Sequence, residues 1–528
     1  MKFEFLISPA GITASMHELL QPRNHNFLSV TKVLSLLVLI PVIISSVGCS
    51  RSTDVPQFST SDQVSSTVQA SEDFVINDAV SLQESTITWD TYQYELTENN
   101  QIVAGSYDGV TKTQRVFNTW VLENKYLRVT LIPEWGGRIL SIFYKPTGHE
   151  QLYQNPVGVP YQIGTGVFYY DWLMVYGGIF PTFPEPEHGK TWLLPWDFQV
   201  VSESDQEIIV AMSIKDEIEN PSAPRQYDLG PTGLELTFFV SLKAGRTALD
   251  TAIEIRNPGE ESVEFEYWTN TTLAPGSDPL NPETTAGAEI VAPVEMIKIP
   301  GYWQEIAAQE NATEFVDVYD FENLKRFENW PDMGIAYAFP DMQGANFWGV
   351  INHDNEEGIF RIADNTLTPG LKIWTWGYPH SSTLDPQASA DESRPYIELW
   401  AGVTREFWQR ASFPANDHAQ FTEIFSPSVG LSNVTHANEN FLVHLTNTGH
   451  SSVECQLFGM FPDQTVEISM QLDGQEFSRA EEMLDSKNGN DCSKQIPDSS
   501  TGSVLKLVIE SQNGDLLFEG QIDMSNNL

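Results

Sequence analysis

The sequence predicts an all-β protein that contains one large and one small β-sandwich. Three observations support this prediction. Short segments alternate apolar and polar residues, as strands with one buried face do. Thirty-one prolines and 35 glycines interrupt the chain of 528 residues, and long helical patterns are scarce. All 14 tryptophans lie between Trp89 and Trp408, which separates an aromatic-rich part from an aromatic-poor one.

The alternation is clearest in three segments of the first part. They are LRVTLIP (127–133), GLELTFFVSL (233–242) and LDTAIEIRNPG (249–259). Successive side chains of a strand point to opposite faces, so each segment predicts a strand with one apolar face. The third segment ends at a Pro-Gly pair, which is typical of a turn. Because many such strands follow one another, we expect a large twisted β-sandwich over residues 86–428.

The second part, residues 429–528, contains neither tryptophan nor tyrosine. It still shows strand patterns in NFLVHLTN (440–447), TVEISMQLDGQEF (465–477) and SVLKLVIES (503–511). An Asp-Gly pair in the second pattern is typical of a hairpin turn. These features predict a small immunoglobulin-like β-sandwich of about 100 residues. Because it is poor in large aromatic side chains, we expect a ligand to bind to the first part.

The N-terminal region predicts export. Lys32 precedes the apolar run VLSLLVLIPVIISSVGCS (33–50), which is short for a membrane span, so residues 1–48 are interpreted as a signal segment. SVGC resembles the lipobox of bacterial lipoproteins, and this resemblance implies that Cys49 is lipidated and holds the protein at a membrane, in the periplasm or on the outer-membrane surface. A plain secretory signal and a single membrane anchor are the alternatives. Residues 49–85 are rich in Ser, Thr, Asp and Gln and predict a disordered tether.

Charge and cysteine content restrict the partners. The chain has 28 Lys and Arg against 72 Asp and Glu, a formal charge of −44, which argues against nucleic-acid binding because phosphates would be repelled. Cys455 and Cys492 can form a disulfide in an oxidising compartment, and free thiols are the alternative. Metal-binding and nucleotide-binding motifs are absent from the sequence, so we predict no metal and no cofactor. HDNEEG (353–358) could hold calcium but is interpreted as a solvated turn.

The density of tryptophan exceeds what a core needs and favours a carbohydrate ligand. Sugars stack their C–H faces on aromatic rings, while carboxylates, amides and arginine pair with their hydroxyls. The best candidate walls are YWTN (267–270), with Trp268, and KIWTWGYPHSS (372–382), with Trp374 and Trp376. Core packing is the alternative for each single tryptophan.

Four segments in order resemble galactose-mutarotase-like, or aldose-epimerase-like, proteins. They are ENKYLRVTLIPEWGGRILSIFYKPTGHEQLYQNP (123–156), EHGKTWLLPW (187–196), KIWTWG (372–377) and YIELWAG (396–402). The pattern is most similar to an uncharacterised branch that is often found ahead of tetratricopeptide repeats, although no such repeat occurs in this sequence. The resemblance covers residues 86–428 and implies the large supersandwich fold of that superfamily.

The resemblance also implies site residues. Arg138, after the Gly-Gly pair, would contact the substrate or brace the site, His188 would bind the substrate, and Glu398 would be the catalytic base at an anomeric hydroxyl. The proton-donating histidine of the family would fall within TNTTLAPG (269–276), beside Trp268, where this chain has Asn270 and no histidine. An amide does not exchange protons at useful rates, so the sequence argues against simple mutarotase chemistry.

The role of His188 has three interpretations: a sugar contact, which we favour, a proton shuttle, or an inert loop residue. Its acidic neighbours Glu185, Glu187 and Asp197 would raise the pKa of the imidazole if they lay beside it.

The predicted function is therefore that of an exported lipoprotein that binds carbohydrate. Whether it also processes carbohydrate stays open. Glycoside hydrolysis would need a second carboxylate beside Glu398, and the unranked candidates are Glu185, Asp332 and Glu423. Polysaccharide lyase chemistry would use Tyr378 and His380. A structural or interaction lipoprotein without catalysis is the alternative from another class, because a fold alone does not assign chemistry.

Overall fold

The structure is a computed structural model of the chain. It describes residues 79–93, 95, 106, 111–155, 177–185, 188–192, 194–218, 230–378, 395–449, 452–496 and 504–524. The predicted signal segment, Cys49, Glu187 and His380 lie outside these residues. Within them, no helix is both long and apolar enough to cross a bilayer.

The described residues are almost entirely β-structure, which confirms the predicted fold class. The first eleven strands are β1 (Ser81–Tyr92), β2 (Lys112–Glu123), β3 (Leu127–Ile132), β4 (Arg138–Tyr144), β5 (His149–Leu152), β6 (Gly178–Thr182), β7 (Asp197–Glu203), β8 (Glu207–Lys215), β9 (Glu235–Lys243), β10 (Leu249–Asn257) and β11 (Val263–Phe265). The next eleven are β12 (Trp268–Ser277), β13 (Ala288–Val291), β14 (Met296–Lys298), β15 (Val318–Asp320), β16 (Gly334–Phe339), β17 (Phe347–Asn352), β18 (Glu357–Ala363), β19 (Gly370–Thr375), β20 (Ile397–Gly402), β21 (Ala411–Phe413) and β22 (Asp417–Val429). The last nine are β23 (His436–Ala437), β24 (Phe441–Asn447), β25 (Ser452–Gly459), β26 (Thr465–Leu472), β27 (Gln475–Met483), β28 (Asn490–Asp491), β29 (Lys494–Gln495), β30 (Val504–Ser511) and β31 (Leu516–Asp523). The one-turn helix α1 (Gln304–Ala307) and the 3-10 turns Asn323–Lys325 and Phe327–Asn329 lie among these strands.

Two large antiparallel sheets form the first sandwich. One has twelve strands in the order β1-β2-β3-β4-β5-β12-β20-β19-β16-β14-β15, with β6 paired to β12 and β4. The other has eight strands in the order β13-β17-β18-β22-β10-β9-β8-β7, and β11 and β21 form a separate pair. Strands that are distant in sequence are neighbours in both sheets, so segments far apart in the chain meet on one surface.

A shared apolar core lies between the two sheets. Leu122, Val129 and Ile142 come from the twelve-stranded sheet, and Phe238 and Ile253 come from the eight-stranded sheet, and all five side chains are fully buried. Strand β9 alternates buried and half-buried residues along its length. The period-two pattern read from the sequence therefore corresponds to a core face on these strands.

A polar network also crosses this core. The Arg361 guanidinium on β18 donates from Nε to Oε1 of Glu423 on β22 at 2.5 Å, and its other nitrogens donate to Asn365 (2.7 Å) and Thr368 (2.8 Å). From the twelve-stranded sheet, the Thr269 hydroxyl donates to Oε2 of Glu423 at 3.0 Å. A buried ion pair is stable only when its remaining polar atoms also find partners. The other nitrogens of Arg361 and the second carboxylate oxygen of Glu423 have partners, so the network meets that condition. It also links β12 of the twelve-stranded sheet to β18 and β22 of the eight-stranded sheet.

The residues after Val429 form two further sheets. One joins β23, β24, β25, β28 and β29, and the other has the order β27-β26-β30-β31. Val443, Leu457 and Leu507 belong to the core between them, and a disulfide joins Cys455 to Cys492 with their Cα atoms 4.9 Å apart. This is the small β-sandwich that the strand patterns predict, and the boundary at residue 428 stays a prediction.

Hydrogen bonds and apolar contacts join the small sandwich to the large one. The Tyr126 hydroxyl donates to Asp463 at 2.7 Å, and Arg246 donates to the carbonyl oxygen of Glu439 at 3.1 Å. Leu442 and Phe458 of the small sandwich belong to the large apolar core. The two sandwiches therefore share part of one core.

One predicted boundary is wrong. The predicted tether, residues 49–85, overlaps the first strand, because β1 begins at Ser81 and pairs with β2 along its whole length. Most side chains of β1 whose burial is described are exposed. An exposed strand can be polar, and the composition of β1 therefore resembles that of a linker.

Candidate functional site

The outer face of the twelve-stranded sheet, opposite the core, carries the predicted site residues. On β20, Leu399 is part of the core, so its neighbours Glu398 and Trp400 point outward. The same alternation holds on β12 and β19. The outward residues of these two strands are Trp268, Asn270 and Thr272 on β12, and Lys372 and Trp374 on β19.

The strand register places these residues in two adjacent rows. In one row Trp400 stands directly opposite Asn270 on one side and Lys372 on the other. In the next row Glu398 stands opposite Thr272 and Trp374. Directly opposed side chains of an antiparallel pair are close enough to interact.

The Trp400 indole is the point where the polar groups meet. Its Nε1 donates to Oε2 of Glu398 at 2.6 Å. Nζ of Lys372 lies over the indole, 3.8 Å from the ring centroid, and the His188 ring lies edge-on at 5.4 Å. We call these residues and Asn270 the Trp400 cluster. All five side chains are buried, with Lys372 4% and His188 8% exposed.

His188 reaches the cluster from the loop that joins β6 to β7. Its ring stacks on Trp192 at 4.5 Å with an interplanar angle of 28°. Gly189 follows with φ +68°, and a Cβ there would lie 2.4 Å from the backbone nitrogen of Phe183. Only glycine fits that position, so the His-Gly pair sets the path of the loop that carries the imidazole.

The Gly-Gly-Arg turn packs against this same loop. A Cβ at Gly136 would lie 1.8 Å from the carbonyl oxygen of Trp192, so glycine allows the two backbones to touch. Arg138 follows with its guanidinium 4.1 Å from the ring centroid of Phe180, and it donates to the carbonyl oxygen of Gly177 at 2.9 Å. Burial lowers the pKa of Arg138 to about 9. Two motifs that are far apart in the sequence are thus one structural unit.

Burial makes Glu398 a weak acid. Removal from water raises the pKa of its carboxyl to about 7, while the Lys372 charge and hydrogen bonds from Trp400 and Asn270 act in the opposite direction. The Asn270 amide is oriented because its Oδ1 accepts from Thr272 at 3.2 Å. A carboxyl with this pKa both accepts and releases a proton near neutral pH.

His188 is neutral at neutral pH. Burial, followed by the charges of Lys372 and Arg138, holds the pKa of the imidazole well below 6.5. The net shift of this pKa is thus opposite to the one that adjacent carboxylates would cause, and Glu187 lies outside the described residues. Glu185 instead lies 3.3 Å from Nζ of Lys190, and Asp197 is exposed on β7. The neutral ring fits the predicted sugar contact better than a proton shuttle.

The three predicted tryptophan walls occupy different environments. Trp268 is fully buried and packs edge-on against Phe407 at 5.0 Å, as a core residue does. Trp374 and Trp376 are half-buried and meet edge-on at 5.4 Å, and Trp376 Nε1 donates to the Tyr396 hydroxyl at 2.6 Å. Trp374 and Trp376 therefore have the exposure that a wall requires.

Sequence reasoning missed two central residues, Lys372 and Trp400. Both stand inside segments that the resemblance selected, KIWTWG and YIELWAG. Alternation along each strand would have found them, since Lys372 shares a face with Trp374, and Trp400 with Glu398.

The other candidates lie away from the Trp400 cluster or outside the described residues. Glu423 belongs to the inter-sheet network and Glu185 to the Lys190 pair. The Asp332 backbone lies beside Gly377, which follows Trp376 in the chain. Tyr378 packs against Phe327, and no group of side chains in the described ranges is arranged to hold a metal.

Residues 103–279 match the family model described as a domain of unknown function (DUF5107). A TPR-domain containing protein from Parabacteroides distasonis has a similar structure, with a TM-score of 0.51 and 17% identity over 68% of this chain and 58% of that one. This chain thus spans a little over half of that protein's length. Galactose mutarotase-like proteins from Clostridium acetobutylicum (TM-score 0.41, 10% identity, 66% and 99% covered) and Lactobacillus casei (0.36, 12%, 59% and 100%) are also similar. The similarity to the TPR-domain containing protein shows a shared fold.

The pKa of Glu398 can be measured by carbon-13 NMR of labelled glutamate, with Glu398→Gln to assign the signal. We expect a pKa near 7 in the wild type and a higher value in Lys372→Met, because the variant lacks the ammonium that favours the carboxylate. Since the folded-state pKa is raised above 4.5, this carboxyl's contribution to the free energy of unfolding falls as the pH rises from about 4.5 through 7.

Lys215→Met, at an exposed lysine on β8, is the matched control and should leave the Glu398 titration unchanged. A Glu398 pKa near 4.5, or one that Lys372→Met does not move, would contradict this electrostatic description.

Proposed function

We propose that the Trp400 cluster binds a sugar ring and that Glu398 exchanges a proton with one of its hydroxyls. The observation that supports this most is that an acid–base carboxyl, an ammonium and an imidazole all contact one indole. Aromatic walls with a few convergent polar groups are what a sugar site needs. Trp374 would stack on the C–H face, while Asn270 and His188 pair with hydroxyls.

Lys372 supplies a proton donor in place of the histidine that is absent from residues 269–276. In a ring opening, Glu398 takes the proton of the anomeric hydroxyl as its oxygen forms a carbonyl with C1. The bond from C1 to the ring oxygen breaks, and the ring oxygen takes a proton from the Lys372 ammonium. Closure on the other face of the carbonyl returns both protons, so no other reactant is consumed.

Glycoside hydrolysis is the second candidate reaction. It needs two carboxyl groups on either side of one bond. The Asp332 backbone lies beside Gly377, and its Oδ1 accepts from the backbone N–H of Met333 at 2.8 Å. Glu185 and Glu423 are held by buried cations instead.

Turnover can be tested with a panel of reducing monosaccharides, by following anomer exchange with NMR. We expect the wild type to accelerate exchange and Glu398→Gln to be slower by about 10²–10⁴-fold, because an amide cannot accept the proton. Lys372→Met should lose rate by a similar factor. Glu264→Gln, at an exposed carboxylate, is the matched control and should keep the wild-type rate.

Binding is measured separately, on a glycan array, with the wild type and Trp374→Ala. Saccharide binding that Trp374→Ala weakens, together with equal exchange rates in wild type and Glu398→Gln, would leave a binding protein and reject the acid–base role. No binding by the folded wild type would reject the sugar site as a whole.

We also propose that Cys49 carries a lipid that anchors the protein at a bacterial membrane surface. The support is the export pattern of residues 1–48 and the SVGC resemblance. Cells grown with an alkynyl fatty acid should label the wild type, which should fractionate with membranes. Cys49→Ser should lose the label. Equal labelling of the two, or an unlabelled wild type, would contradict the anchor.

A further inference from the structure

A hollow opens on the outer face of the twelve-stranded sheet, two strands from Trp400. It has a volume of about 550 Å³, and we call it the Tyr337 groove. Its lining includes Lys298, Phe315, Tyr337, Arg405, Glu406 and Gln409. This volume is within the range of pockets that bind small ligands.

The strand register connects the groove to the Trp400 cluster. Lys298 stands opposite Tyr337, Tyr337 opposite Lys372, and Lys372 opposite Trp400. These four residues form one continuous row across β14, β16, β19 and β20. With strands about 4.8 Å apart, Tyr337 lies about 10 Å from Trp400 along the sheet.

A single loop contacts both the groove and Trp400. Residues 403–410 carry Arg405, Glu406 and Gln409 into the groove. The same loop places the Phe407 ring 5.4 Å from Trp400 and 6.4 Å from Tyr337. Phe407 thus packs between Trp400 and Tyr337, and Tyr337 lines the groove.

The chemistry of the groove suits a neutral polyhydroxyl ligand. Nζ of Lys298 lies 2.8 Å from both carboxylate oxygens of Glu406, and Arg405 donates to Asp341 at 2.7 Å. The charges are thus balanced in pairs, which gives no selection for a net ion but leaves many hydrogen-bonding atoms. The Phe315 ring, 48% exposed and packed on Phe339, provides an aromatic surface of the kind on which sugars stack.

We propose that the Tyr337 groove is a further saccharide subsite, so that the ligand class is an oligosaccharide with one unit in the Trp400 cluster and another unit in the groove. This inference rests on the proposed function. It adds a binding site and a chain length to it, because a monosaccharide would occupy only one of the two proposed positions.

The test measures affinity against chain length by calorimetry. The probes are gluco-, manno-, galacto- and xylo-oligosaccharides of one to six units. For the series that binds, we expect wild-type affinity to rise roughly tenfold or more from one unit to the longer chains. Phe315→Ala and, as a second variant with little packing role, Gln409→Ala should lose that rise and keep the monosaccharide affinity.

Leu280→Ala, at a residue that is 85% exposed and does not line the groove, is the control and should keep the wild-type affinities. A wild type that binds one unit as tightly as six, or a rise that both groove variants retain, overturns the subsite and leaves the proposed function intact. A wild type that binds no saccharide of any length overturns both.

Discussion

The burial of one face of the twelve-stranded sheet against the eight-stranded sheet determines what its other face can present. Side chains alternate along a strand, so a slip of one residue would exchange core and outer face. Thr269 holds β12 in register through Glu423 and Arg361. Its neighbour Asn270 therefore faces outward, opposite Trp400. The site residues are in place because the core side of the same strands is fully specified.

The outer face differs from the core because it holds charged side chains that are buried among aromatic rings. Lys372 and Glu398 are nearly removed from water, and each is held by the Trp400 indole, one through its ring face and one through its N–H group. A carboxyl in such a setting is a weaker acid, and an imidazole near two cations stays neutral. Burial and neighbouring charge thus give Glu398 and His188 different protonation at the same pH. Functional sites commonly contain groups whose pKa values are shifted in this way.

The sequence was sufficient for the strands and for the segments of the site. Alternation in 233–242 and 249–259 corresponds to β9 and β10. The rings of Trp192 and Trp400 connect Arg138, His188 and Glu398. The sequence does not give the distances between segments, because sheet neighbours such as β12 and β20 are far apart in the chain. The acidic residues near His188 in sequence were misleading for the same reason, since Glu185 turns to Lys190. Lys372 was not predicted, because the pattern of tryptophans selects Trp374 and not the lysine on the same strand face.

The central claim is that a sugar ring binds at the Trp400 indole within reach of Glu398. A crystal structure with the tightest-binding monosaccharide from the array tests it most directly. We expect a pyranose ring stacked on Trp374 with a hydroxyl within hydrogen-bond distance of the Glu398 carboxyl. A sugar bound elsewhere on the protein, with no contact to Glu398, Lys372 or His188, would contradict it.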